Sequence, residues 1–151
     1  MKVILVTIIA GILGATGRIL LLELISRLRI AHVDALKAIG TLYHGYFGHP
    51  LLRGVGANYL FGVISAFIYL ILISFVCPAA STLVTAGFGA LIGLHQGYAE
   101  GFSLVPLVAE HHPLAEFRKY GHEVAIYNWL VQIFYGLIVG TVIGWTKVQL
   151  F

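Results

Sequence analysis

Four stretches of the chain are apolar almost without interruption, and polar residues collect between them. The first runs from Val3 to about Ile25 and contains Arg18 and Glu23. The second, Gly54 to Cys77, is 24 residues without a formal charge and stops at Pro78, whose ring cannot continue helical hydrogen bonding. The third, about Ala79 to Ala99, follows so closely that the two are expected to form an antiparallel hairpin. The fourth, Val124 to Trp145, is also free of formal charge, with Tyr127, Trp129 and Trp145 near its ends, where aromatic rings anchor at a membrane surface. Roughly 20 apolar residues cross ~30 Å of hydrocarbon as a helix, so each run has spanning length, and none shows the alternation of a barrel strand. The pattern predicts an all-α, integral membrane four-helix bundle of two helical hairpins. It forms a single transmembrane domain over residues 1–151, with spans near 3–25, 54–77, 79–99 and 124–145. Apolar residues resume directly after Arg18, so the first run reads as a retained span rather than a signal peptide.

Composition agrees. Of 151 residues, 60% are hydrophobic and 10% charged, and the mean hydropathy is +0.96, which excludes a large soluble catalytic domain. A formal charge of +3 suggests nucleic acid in a soluble protein. Here the basic residues are scattered between apolar runs and read as topology signals, with no nucleic-acid partner expected. Arg27, Arg29, Lys37, Arg53, Arg118 and Lys119 lie in the first and third connections. In a bacterial inner membrane that places both termini outward and the His-rich connections in the cytoplasm. A lone cysteine, Cys77, excludes an intrachain disulfide framework.

The connections are not plain loops. Ile30 to Tyr43 sets Val33, Leu36 and Ile39 or Gly40 on one side and Asp34 and Lys37 away from it, as a short interfacial helix would. Phe102 to Ala109 is apolar but contains Pro106 and is too short to cross, so a re-entrant or surface-lying segment is expected, shaping a pocket beneath His95 and Glu100. His49-Pro50-Leu51 and His112-Pro113-Leu114 repeat ahead of the second and fourth spans, and each His-Pro is a candidate helix start.

Two glycine ladders, Gly89, Gly93, Gly97 and Gly136, Gly140, Gly144, have the four-residue spacing that lets membrane helices approach closely. They either compact the bundle or dock it on other transmembrane subunits. Gly11, Gly14 and Gly17 resemble part of a dinucleotide-binding fingerprint, but that needs a strand before and a βαβ unit after, and membrane spans follow instead.

All seven histidines, His32, His44, His49, His95, His111, His112 and His122, thread onto one side of this topology, with the carboxylates at or near the same side. Imidazoles and carboxylates together suit a transition metal. The candidate ligands are His44, His49, Glu110, His111, His112, Glu116 and His122. The His44/His49 spacing resembles the first histidine box of membrane fatty-acid desaturases and hydroxylases, although the further boxes of that family have no counterpart. His95, between Gly93 and Gly97, is the candidate for ligating a haem iron or the magnesium of a chlorophyll-type pigment. Histidines at a headgroup surface can equally be solvated, or serve a pH-responsive interface.

Arg18 is the costliest residue, since a cation inside an apolar span needs a partner or a cavity. Glu23, Glu100 or a lipid phosphate would satisfy it, so Arg18 and Glu23 are expected to be structural or lipid-facing. Asn58, Asn128 and Gln132 are expected to bond between helices.

The glycine-rich first span, the Asp34-containing connector, Asn58-Tyr59-Leu60-Phe61-Gly62, Gly93 to Gly97 with His95, His112-Pro113 and Tyr135-Gly136 together resemble small four-span bacterial membrane proteins of uncharacterised function. That resemblance covers nearly the whole chain and implies the four-helix fold and an inner-membrane location, without an activity. Two function classes remain open. One is a non-catalytic accessory subunit or interaction module of a larger membrane complex, with membrane lipids and other subunits as partners and a lipid or pigment as ligand. The other is a small metal- or haem-dependent membrane enzyme built on the His/Glu-rich face.

Overall fold

The computed structural model describes residues 1–28, 34–42, 48–119 and 122–150, with His122 described in its backbone alone. Among the described residues there are helices and no strands. The order is α1 (Lys2–Arg27), α2 (Ala35–Thr41), α3 (Pro50–Val76), α4 (Thr82–Ala99), a π-helical turn (Glu100–Leu104), α5 (Val105–Glu110), a 3-10 turn (Phe117–Lys119) and α6 (His122–Thr146).

Helices α1, α3 and α6 are long and apolar enough to cross a membrane. The fourth expected span does not meet that measure. α4 is 18 residues long and spends its last turns on His95, Gln96 and small residues. The exterior nevertheless suits lipid over much of its area. Leu20, Leu60, Phe61, Phe75, Leu83 and Trp145 are exposed, whereas Thr7, Asn58, Thr85 and Gln132 are buried. A soluble protein distributes these the other way.

Several boundaries move from their expected positions for local reasons. α3 starts four residues early because Pro50 occupies its first turn, where a missing N–H costs nothing. It ends where Cys77 takes φ −126° and ψ 51°, outside the helical region that the following proline disfavours. Ala79 then adopts φ 54°, so α4 cannot begin at Ala79. It begins after Ser81, whose Oγ accepts the Val84 N–H at 3.4 Å, a normal N-cap. The interfacial helix expected in the first connection is described over Ala35–Thr41, with 30–33 and 43 outside the described residues, and it is packed down on α3. The Gly40 Cα abuts the Pro50 carbonyl, and the Gly54 Cα abuts the Leu36 carbonyl, so a Cβ at either glycine would strike backbone. The two His-Pro pairs do different work. Pro50 opens α3, but Pro113 sits in a bend whose backbone is held by Arg118, which donates from Nε to the His112 carbonyl at 2.7 Å. α6 starts only at His122.

α6 is the hub of the bundle, packed against both α1 and α4. The two glycine ladders meet each other: Gly89 faces Gly136 and Gly140, Gly93 faces the Gln132 carbonyl, and Gly144 faces Thr85. The ladder faces are therefore consumed inside the chain. α1 reaches α3 through Gly11, where a Cβ would lie 2.6 Å from the Val63 Cα. At the end bearing both chain termini, Leu150 donates its N–H to Ser74 Oγ at 3.2 Å, and Val148 closes the core beside Ile143.

Candidate functional site

At the opposite end, the helices separate around a cavity of about 310 Å³, at the lower end of ligand-pocket size, roughly 300–1,000 Å³. α2 supplies Ala35, Ala38, Ile39 and Leu42; the segment 104–109 supplies Leu104, Val105, Val108 and Ala109; α1, α3 and α6 supply Leu22, Phe61 and Val124. The polar groups on this apolar wall are Arg18, Asn58, Glu100, Asn128 and His112. Phe61 and Leu104 line the cavity and are also 61% and 54% exposed on the outer surface. This part of the cavity wall therefore belongs to the surface that suits lipid.

The π turn positions Glu100. One extra residue in the turn, with Val105 N–H returning to the Glu100 carbonyl, changes the direction of everything after α4, and such turns are frequent at functional sites. Gly101 permits close contact with α6, since a Cβ there would lie 2.6 Å from the Ala125 carbonyl oxygen. Glu100 accepts from Gln96 Nε2 at 2.7 Å through Oε1 and from Gln132 Nε2 at 3.0 Å through Oε2. Gln96 Nε2 also donates to Ser65 Oγ at 3.1 Å, tying α4 to α3.

Arg18 donates from Nη2 to Asn128 Oδ1 at 3.2 Å. The carboxylate that acts on it electrostatically is Glu100, but the two do not close to ion-pair distance among the described contacts. Glu23, the other expected protein partner, pairs instead with Arg27 at 2.8 Å, and both are exposed. Five residues beyond Arg18, Glu23 lies on a different face of α1, at ~100° per residue. Three buried polar atoms have no partner among the described residues: Arg18 Nε, Gln132 Oε1 and Tyr69 Oη. Leaving such groups unpaired costs free energy; of the three residues, Arg18 lines the cavity. Asn58 bonds between helices as expected, donating Nδ2 to the Ala15 carbonyl at 3.3 Å. Tyr135 bonds the Gly62 carbonyl and meets Tyr69 edge to face.

The candidate metal ligands are held singly. His112 is fully buried; its Nδ1 accepts the Leu114 N–H at 3.1 Å. That assigns the hydrogen to Nε2, which donates to the Ala38 carbonyl at 2.9 Å. Both ring nitrogens are thus engaged, and the ring clasps the third connection onto α2, with Phe117 packed edge-on at 4.8 Å. His111 Nδ1 bonds the Leu107 carbonyl at 3.0 Å, and its side chain is exposed, as are His49, Glu110 and Glu116. His32 and His44 lie outside the described residues, as does the His122 side chain. Among the described residues, no group of three His, Cys, Asp or Glu is placed to hold a metal. His95 is on the outer face of α4, bonded to the Leu91 carbonyl at 2.9 Å, rather than aimed between helices.

Gln96 and Ser65 were not among the expected site residues. The signal for Gln96 was present, because it stands four residues before Glu100 and so shares its helix face. Comparison with protein-family models, with curated proteins and with solved structures finds no match.

Proposed function

We propose that this protein is a non-catalytic four-span membrane subunit that takes a lipid-like amphiphile from the bilayer into the Arg18 cavity. The observation that carries this reading is a mostly apolar cavity whose wall reaches the lipid-suited surface at Phe61 and Leu104, which we read as a lateral gap, with the half-buried Arg18 on that wall. An apolar chain enters through such a gap without crossing water, and the polar wall fixes its head.

α4 serves as the fourth span. Its 18 residues cover about 27 Å at 1.5 Å per residue, and its packing on α6 along the glycine ladders supports that placement. An even number of spans puts both termini on one side. The lysines and arginines of the connections favour a bacterial inner membrane with termini outward, and the resemblance to small four-span bacterial proteins supports the same location. Because the ladders are occupied internally, contacts with a larger complex fall on the outward helix faces. The alternative, a metal- or haem-dependent enzyme on the His/Glu face, gains no specific support from the separate hydrogen bonds that hold the described histidines.

The test is to purify the full chain in mild detergent, extract it, and identify bound lipid by mass spectrometry alongside its absorption spectrum and metal content. One lipid per chain is expected, lost on Leu104→Trp, which fills the opening. Stoichiometric haem, iron or zinc that disappears with His95 or with His112 and Glu116 overturns this reading in favour of the enzyme.

A further inference from the structure

Arg18 and Glu100 bring one cation and one anion to the same cavity wall without forming a contact pair among the described residues. The amides of Gln96 and Gln132 satisfy both Glu100 oxygens while adding no charge. The wall is therefore electroneutral before any ligand enters. An anionic head that engaged Arg18 would leave the Glu100 charge without compensation in apolar surroundings, at a large penalty. An uncharged head leaves the balance intact.

The hydrogen-bonding groups agree with the charge. Asn58 spends Nδ2 on the Ala15 carbonyl and keeps Oδ1, an acceptor. Asn128 spends Oδ1 on Arg18 and keeps Nδ2, a donor. A carboxylate or phosphate only accepts, whereas a hydroxyl both donates and accepts. The wall thus holds an acceptor at Asn58 beside the donors of Asn128 and Arg18, so a hydroxyl meets both kinds whereas an anion leaves Asn58 unmet, and the mostly apolar volume of about 310 Å³ leaves room for one chain.

We infer that the ligand is an uncharged, hydroxyl-bearing, single-chain amphiphile of the long-chain alcohol or monoacylglycerol class, its hydroxyl between Asn58 and Asn128 beside Arg18. This rests on the lipid-binding reading above and specifies the head.

The full chain in lauryldimethylamine oxide, a detergent without hydroxyls, is titrated with monopalmitoylglycerol and, separately, with palmitate at pH 9. Binding is read by native mass spectrometry and by the rise in unfolding midpoint. The monoacylglycerol binds at least about tenfold more tightly, because palmitate leaves the part-buried Glu100 charge unbalanced. Glu100→Gln reverses the order, since Arg18 then lacks its counter-charge, and Leu104→Trp weakens both probes. Palmitate binding as tightly as the monoacylglycerol to the native chain, with both still weakened by Leu104→Trp, overturns the head assignment and leaves lipid binding standing. Failure of both probes to bind overturns the head assignment and lipid binding together. The native-chain comparison decides even if Glu100→Gln does not fold.

Discussion

Gln132 on α6 donates its side-chain amide to Glu100 on the π turn at 3.0 Å, and its own Oε1 is buried without a partner among the described residues. Gln132→Leu removes the donor and leaves a carboxylate oxygen short of a hydrogen bond, at a cost of about 1–3 kcal/mol. Thermal unfolding in detergent should show a clear drop in midpoint. An unchanged midpoint would mean that the Gln132–Glu100 hydrogen bond adds no net stability.

Arg18 and Glu100 line the same cavity without touching. Arg18→Met and Glu100→Gln should each destabilise by leaving the other charge uncompensated, and the double variant should lose less than the sum. A coupling of roughly 0.5–3 kcal/mol is expected for such a pair. Simple additivity in a double-mutant cycle would disconnect them.

The glycine seam makes a sharp contrast within α4. Gly89→Ala drives a Cβ into the Gly136 carbonyl, whereas a Cβ at Gly87 meets nothing within 4 Å. The first variant should lose about 1–3 kcal/mol through overpacking. Gly87→Ala should be neutral or gain up to about 1 kcal/mol from helix propensity. Equal effects at both positions would place the seam elsewhere.

His112→Ala should lower stability by about 1–3 kcal/mol, because the Leu114 N–H loses its partner and the Ala38 carbonyl keeps only Thr41 Oγ1, at 3.2 Å. Metal content should not change with it. Parallel loss of a bound metal would show instead that the ring is a ligand.

Sidedness can be read by cysteine labelling, since Cys77 is the lone cysteine. In a Cys77→Ser background, Ser81→Cys should react with an impermeant maleimide applied outside intact cells, and Glu116→Cys only after permeabilisation. Both positions are exposed, so a reversed result inverts the topology.

The helical class and three of the four apolar spans were readable from the chain because long apolar runs act locally. The larger boundary shifts came where a cap or a proline outweighed hydrophobicity, as at Ser81 and Pro50. The glycine ladders announced close packing, but their spacing carried no sign that they face each other, because pairing is a tertiary choice. Glu100 stood among the options for Arg18, and nothing local joined it to Gln132, 32 residues away. The clustering of histidines on one side suggested convergence, yet sidedness fixes only one coordinate of three. His112 and His111 occupy the same end of the molecule and answer to different neighbours.

The π turn at Glu100–Leu104 holds one residue more than an α-helical turn would. Deleting one residue there, Gly101 for example, would let the turn close to ordinary i→i+4 bonding while leaving nearly all of the composition, hydropathy and charge intact. The wide turn that carries Glu100 between the amides of Gln96 and Gln132 would be lost with it. The polar part of this cavity thus depends on how many residues the chain spends in one turn, as well as on which side chains it places there.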